Sequence, residues 1–401
     1  MKYMNLICLV GLVAVSCDKP PAAVQDQPPS APVLKTEAEV RQQEAQKAAQ
    51  SDDLLGQGER YASSGDYDKA LESFRAAVKV NGLSGRANLA LGRELLRRVE
   101  LDDAESALSQ ALRMDPNQTA ALVALGDVYA AKNLWAQAEA YYRSALSGDP
   151  KNVAAGRKVG LALAQQGKLP EAVEALKEVV AAQPGLAEVL SDLGLVYSLQ
   201  ERRDEAISAY KEALASAPDV AEMHARLGEV YVDGGRIEEA EAEFEEALRL
   251  DGKHSAAQVG LGRVKLARGE TEQAAEAFRQ AVDLDAESIQ AHYYLGQALE
   301  QIGKTEDAAA EYNRALRIDN SSVDAPLALG RLLASQGKYE EAEKHLYTAV
   351  QRDENSAEAR LAHGKNLARL GRREDAIKHL EKALELDPSF EEARKALDDL
   401  K

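Results

Sequence analysis

The chain has 401 residues, 67 of them acidic and 49 basic, for a formal net charge of −18. That acidity excludes a nucleic-acid binder working through a basic footprint, and an apolar fraction of 45% excludes global disorder. A chain of this length is too long for one compact core unless it is built from repeats.

Lys2 supplies a short positive start, and an apolar run follows from Met4 to Val15, broken only by Asn5. The run is too short to span a bilayer comfortably and fits a secretory signal. It ends in Ala14-Val15-Ser16-Cys17. Small residues just before a cysteine resemble the lipobox of bacterial lipoproteins, although Ala14 stands where leucine is usual. The resemblance implies that residues 1–16 are a lipoprotein signal peptide and that Cys17 becomes the lipidated first residue. A plain cleaved signal is the alternative. Cys8 lies inside the signal, so the mature chain would keep Cys17 alone, with no disulfide, thiol catalysis or thiolate metal site. Several acyl chains on one cysteine would anchor it stably, at about 0.8 kcal/mol per buried CH₂. Asp18, next in sequence, reads in some Gram-negative bacteria as inner-membrane retention, a rule that varies between lineages, so the choice of membrane stays open. Pro20, Pro21, Pro28, Pro29 and Pro32 mark residues 17–34 as an extended tether. Residues 35–50 are a polar, helix-prone lead-in.

From residue 51 the chain repeats. Glycine recurs at 58, 92, 126, 160, 194, 228, 262, 296, 330 and 364, and alanine follows twelve residues after each. Four residues beyond each alanine stands a large apolar residue, aromatic in Phe74, Tyr142, Tyr210, Phe244, Phe278 and Tyr312 and leucine elsewhere. Three further on comes alanine, with Val179 the exception. Pro116, Pro150, Pro184, Pro218 and Pro388 close five units. The pattern resembles the tetratricopeptide repeat, whose 34-residue period carries L-G-x-x-Y, then A, F and P. Leu125-Gly126-Asp127-Val128-Tyr129, with Ala138, Tyr142, Ala145 and Pro150, is a close match. The resemblance implies an all-α fold: a right-handed superhelical solenoid of about ten helix-turn-helix repeats over residues 51–390, with a capping helix over 391–401.

The columns agree with that fold on their own terms. Small residues let helix A approach helix B, and aromatics fill the space beside them. Glycine at 65, 167, 235, 269, 303, 337 and 371 suits a helix ending in a left-handed residue, and Asn133 is a tolerable substitute. One unit cannot bury its own apolar face, so neighbours must stack. Leu397 and Leu400 would cover the last open face.

Motifs of chemistry are absent from this pattern. Gly303-Lys304-Thr305 lacks the glycine that a phosphate loop needs five residues earlier, where Ala298 stands. The six histidines make no His-x-x-x-His pair, so neither a metal site nor a cofactor is expected. No Ser-His-Asp arrangement rises above background, and the chain reads as a non-enzyme.

A binding surface remains. In proteins of this family the concave groove is lined by positions two, five, nine, twelve and thirteen of helix A. Carried onto this chain, those positions give Arg86, Leu89, Arg93, Leu96 and Arg97 in unit two and Arg157 in unit four. They give Leu195 and Leu199 in unit five, Glu222, Glu229 and Asp233 in unit six, Val259, Arg263 and Leu266 in unit seven, and Tyr293 in unit eight. Arg86, Arg93 and Arg97 share one helix face, a basic stripe suited to a carboxylate-rich segment. Leu195, Leu199, Val259, Leu266 and Tyr293 form either an apolar groove floor or packing between neighbouring A helices. The net acidity sits elsewhere, in first turns of helix B such as Asp102-Asp103, Glu238-Glu239 and Glu374-Asp375, where it favours the helix dipole.

The expected protein is a lipid-anchored scaffold facing the periplasm of a bacterial envelope. It would hold a protein or peptide partner, but no nucleic acid or small-molecule substrate. Pilus or secretin assembly and polysaccharide export are the usual tasks of similar lipoproteins. The second reading is a carbohydrate- or peptidoglycan-processing factor with enzymatic or lectin-like action. It would need aromatic platforms beside carboxylates, and Trp135 is the one tryptophan, near a turn where helix packing explains it.

Overall fold

The 34-residue columns become helix contacts, and they set the architecture. All ten column alanines from Ala70 to Ala376 have no exposed surface, and the six aromatics are at most 4% exposed. Each aromatic lies against the column glycine of its own unit. A Cβ added at Gly126 would stand 2.4 Å from the Tyr142 ring, and one at Gly262 would stand 2.3 Å from Phe278. Helices A and B can therefore cross closely only because that position carries no side chain. Val179 breaks the alanine column, and Gly156 compensates, since a Cβ there would lie 2.5 Å from a Val179 methyl.

The computed structural model describes residues 36–401. They form 21 α-helices and, among the described residues, no strand. The signal peptide, Cys17 and the proline-rich tether lie outside the described residues. Helix A of unit one is longer than the rest, running unbroken from Glu37 to Ser63, so the polar lead-in and the first repeat share one helix. Its start carries a capping box, in which the Thr36 side chain accepts from the Glu39 N–H and Glu39 reaches back to Thr36. Each helix A packs on its own helix B, and each helix B packs on the next helix A. This one-dimensional stacking buries what a single unit leaves open. The chain ends in a short helix, Glu391–Asp398, whose Ala393 and Leu397 cover Leu361 and Leu380 of unit ten.

The A–B turns need a left-handed residue. Seven glycines supply it, with φ from +71° to +80°, and Asn133 supplies it at φ 58°. The other two turns place Val99 at φ 62° and Glu201 at φ 58° in the same conformation. The turns between units use a different device, set at the fourth position of helix A. His224 and His292 meet the carbonyls of Pro218 and Ala286 at 2.9 and 3.1 Å, and Asn88 donates to the carbonyl of Gly82 at 2.9 Å. Arg360 donates to the carbonyl of Glu354 in the same way, at 3.0 Å. The paired histidine column therefore ties down turns six residues upstream. The remaining ring nitrogens of His224 and His292 meet Glu243 and Glu311 at 2.6 and 2.7 Å.

Candidate groove on the A-helix face

The basic stripe of unit two is narrower than its sequence implies. Arg86 reaches Glu59 only at 4.0 Å and is largely exposed. Arg97 is committed within the chain, with its guanidinium 3.1 Å from the centre of the Tyr67 ring and bonded to the buried Glu94 at 2.6 Å. Arg93 is exposed and has no hydrogen-bonding or ionic partner among the described residues. One free and one loosely paired guanidinium therefore face solvent. Leu89 and Leu96 are half-buried against the core of the first units and supply an apolar flank.

Units four and five are joined by a bridge the sequence reading did not name. Arg157 projects from Val153–Gln165 onto the next helix A, Ala187–Leu199, and binds both Asp192 and Glu188. Burial raises Asp192 above its usual carboxylate range, while the Arg157 hydrogen bond opposes that shift. The carboxylate is thus held by one guanidinium against its own desolvation.

The acidic stretch of unit six is also internally paired. Arg226 bonds Glu222, His254 bonds Glu222 at 3.2 Å, and Arg263 bonds Asp233 at 2.7 Å. The His254 hydrogen bond keeps the Glu222 carboxyl below its usual range. The Glu229 side chain has no hydrogen-bond partner among the described residues, and burial raises its pKa even though Arg263 and Arg226 stand nearby. A cavity of about 230 Å³ opens here between Leu195, Tyr210, Arg226 and Glu229.

The apolar candidates divide. Leu199, the last residue of its helix A, is 56% exposed. Val259 is 3% exposed and belongs to the core with Ala275 and Phe278. It is therefore removed from the groove lining, because the stacked A helices close over position five of unit seven. Leu195 is half-buried, and Leu266 packs on the core's edge. Tyr293 is half-buried in a ring cluster, edge-on to Tyr294 at 5.3 Å and tilted against Tyr312 at 6.0 Å. Burial pushes its hydroxyl up to about 12. Of these residues Leu199 is the most exposed and Val259 the most buried.

A larger opening, about 590 Å³, lies between units nine and ten. It is bordered by Arg331, Lys365, Arg369 and the nearly buried Asn366, over Leu361. No group of three or more His, Cys, Asp or Glu among the described residues is placed to hold a metal ion.

Comparison with known proteins places the repeats in a family. One tetratricopeptide-repeat family model matches residues 55–119, and a second matches 265–332, 303–365 and 333–400. Between them, the model described as the C-terminal domain of cilia and flagella-associated protein 70 matches residues 116–294. No curated protein matches the chain. Among solved structures, the APC/C hetero-tetramer Cut9-Hcn1 is similar with a TM-score of 0.55 and 17% identity, over 87% of this chain and 76% of that one. Yeast Tom70 is similar with a TM-score of 0.51 and 13% identity, over 87% of this chain and 94% of that one. At these identities the likeness speaks for the fold.

Proposed function

Because the chain carries tetratricopeptide repeats stacked into a solenoid, we propose that it is a lipid-anchored scaffold of the bacterial envelope, holding a protein partner on its A-helix face. The observation that carries the binding role is the open surface beside unit two and unit five. Arg93 stands in unit two without a partner among the described residues, and in unit five Leu199 is 56% exposed, in a fold that leaves few of its described leucines exposed. An exposed apolar side chain and an unmatched charge on helix A positions fit a docking surface better than a catalytic cleft. Anchoring rests on the sequence before residue 35: the apolar run, Ala14-Val15-Ser16-Cys17 and a proline-rich tether long enough to stand the repeats off a membrane. The finer assignment is to the assembly or regulation of a membrane machine of the pilus, secretin or polysaccharide-export kind.

Two experiments test the two halves separately. Radioactive palmitate should label the wild-type chain and spare Cys17→Ala, and an unlabelled wild type rejects the anchor. Cross-linking in membranes followed by affinity capture should recover a defined partner with the wild type and lose it when Arg86 and Arg93, the two that face solvent, are changed to Glu. Equal recovery from both removes this face from the binding reading.

A further inference from the structure

We propose that Asn81, in the turn that joins units one and two, is a site of spontaneous deamidation, with an aspartate or an isoaspartate as the product. The site depends on no partner and on neither half of the proposed function. The later turns between units set the comparison. In seven of them an aspartate at this position accepts the backbone N–H two residues on, at 2.7–3.2 Å, as Asp149 does from Lys151. Three of these aspartates precede a proline, in Asp115-Pro116, Asp149-Pro150 and Asp387-Pro388. Unit one departs at both places and carries Asn81-Gly82, the one Asn-Gly pair of the chain.

The turn also arranges the reacting groups. Asn81 Oδ1 accepts the Leu83 N–H at 3.2 Å. That oxygen gains negative charge when the carboxamide carbon Cγ is attacked, so a donor already stands where the charge develops. The attacking atom is the Gly82 nitrogen. Gly82 is exposed, and its N–H makes no hydrogen bond among the described residues. Asn81 Nδ2, the leaving group, has no partner among them either. Glycine carries no Cβ to crowd the forming ring.

The Gly82 nitrogen gives its proton to hydroxide and bonds to Asn81 Cγ. The Cγ–Nδ2 bond breaks, and Nδ2 takes a proton from water and leaves as ammonia. The product is a five-membered succinimide, which water then opens. Breaking the bond from the Gly82 nitrogen to Cγ leaves an aspartate, the residue that seven later turns use. Breaking its bond to the main-chain carbonyl carbon leaves an isoaspartate, which lengthens the main chain by one methylene and takes that carbonyl out of it. The Asn81 carbonyl accepts from the Ser84 N–H at 3.0 Å, and Ser84 caps the helix Gly85–Arg97. Isoaspartate therefore loosens the start of unit two, where unit one stacks on it, while aspartate preserves the turn.

The test is peptide mapping by mass spectrometry of the full chain held in mildly alkaline buffer. Asn81 should gain the mass of NH₂ exchanged for OH about tenfold or more faster than the exposed Asn117 and Asn355, which precede Gln118 and Ser356. An isoaspartyl methyltransferase should label the Asn81 peptide. Because the turn assists the reaction, the folded chain should react at Asn81 at least as fast as the same chain in urea. Gly82→Pro copies five other turns and has no N–H to lose, so it should stop the reaction. Gly82→Ala, whose Cβ would meet the Val78 carbonyl at an ordinary 3.7 Å, should slow it by about tenfold or more. Amide exchange at the start of Gly85–Arg97 should quicken in the aged wild type and stay unchanged in Asn81→Asp. The proposal is overturned if Asn117 or Asn355 reacts as fast as Asn81, if folding slows Asn81 below its rate in urea, or if Gly82→Pro still yields isoaspartate there. Exchange that stays unchanged in a chain bearing isoaspartate at this turn overturns the loosening of unit two.

Discussion

His363 and His379 meet edge to face, with ring centroids 4.3 Å apart, between the two helices of the last repeat, Ala357–Arg369 and Arg373–Leu386. Nδ1 of each ring is buried without a hydrogen-bond partner. His363 Nε2 bonds Glu343 at 3.1 Å, which leaves His379 as the ring without an acidic partner. Burial, and then the neighbouring His363, push His379 down to about 4, with Arg360 acting in the same direction and Glu343 and Asp375 opposing it.

The consequence is acid lability at one end of the array. A histidine whose pKa is lowered by folding stabilises the fold while both states keep it neutral, above about 6.5. That contribution is lost as the pH falls from there to about 4, because the unfolded chain then takes a proton the fold refuses. His379 is only half-buried, so screening limits the effect to about 1–2 kcal/mol. His379→Leu should flatten this part of the pH dependence, measured as the urea midpoint of the wild type minus that of the variant. Parallel curves for the two proteins between pH 6.5 and pH 4 would sink the assignment.

The Arg157 bridge makes the opposite kind of prediction. Asp192 is raised by burial, so once it loses its guanidinium it stands as an unpaired carboxylate in a desolvated site. Arg157→Met should cost about 1–3 kcal/mol at neutral pH, below the full value for a buried pair because Arg157 is a third exposed. A raised carboxylate favours the fold at low pH and costs it stability as the pH rises through the folded value. The penalty of Arg157→Met should therefore shrink on acidification, and Asp192→Asn in the same chain should recover part of it. A penalty that is independent of pH and unaffected by the second substitution would mean that Arg157 acts through packing alone.

That bridge also shows how far the sequence could be read. The column glycines, alanines and aromatics are legible because each forms its contact inside one unit, at a fixed short spacing. Positions 126 and 142 are an example, sixteen apart and in contact. The cross-unit pairs were not read, although they follow a rule. Arg98 meets Asp68, Lys132 meets Asp102, and Arg263 meets Asp233, each thirty residues apart. Lys132 with Glu105, Arg268 with Glu241, and Lys365 with Glu392 lie twenty-seven apart. Those offsets are one repeat shortened by one or two helical turns, so residues that would be neighbours on one helix face each other across adjacent units. What stayed illegible is burial at a single groove position. Val259 and Leu199 are alike in type, but Val259 holds the fifth position of its helix A, which is buried also at Ser191, Ala225, Leu327 and Leu361, whereas Leu199 is the last residue of its helix and 56% exposed.

Val99 tests the cost of a turn. It stands at φ 62° and is 72% exposed, where seven other units place glycine. A β-branched residue in the left-handed region carries about 1–3 kcal/mol of strain, partly offset in comparison with glycine by the latter's freer unfolded chain. Val99→Gly should therefore stabilise the protein by about 0.5–1.5 kcal/mol. The reverse change, Gly269→Val at φ +77° with open space around it, should cost a similar amount. Denaturant melts of the two variants check the pair of signs. A destabilising Val99→Gly would show that the valine makes a contact its exposure hides.

The C-terminal helix should behave as a lid on one end of the stack. Leu397 is 5% exposed and packs on Leu361 and Leu380, which are 2% and 0% exposed beneath it. Leu397→Ala removes most of that contact, at about 2–4 kcal/mol for a buried leucine. In a solenoid each unit touches only its neighbours, so the loss should stay local. Amide exchange measured by mass spectrometry should quicken first in Ala357–Arg369 and Arg373–Leu386, then in unit nine, while Gly85–Arg97 keeps its wild-type protection. Glu392→Gln, which leaves the apolar anchor in place, should change none of these rates. Uniform loss of protection along the whole chain after Leu397→Ala would mean that the array unfolds as one cooperative body, and the local reading of the lid would fall with it.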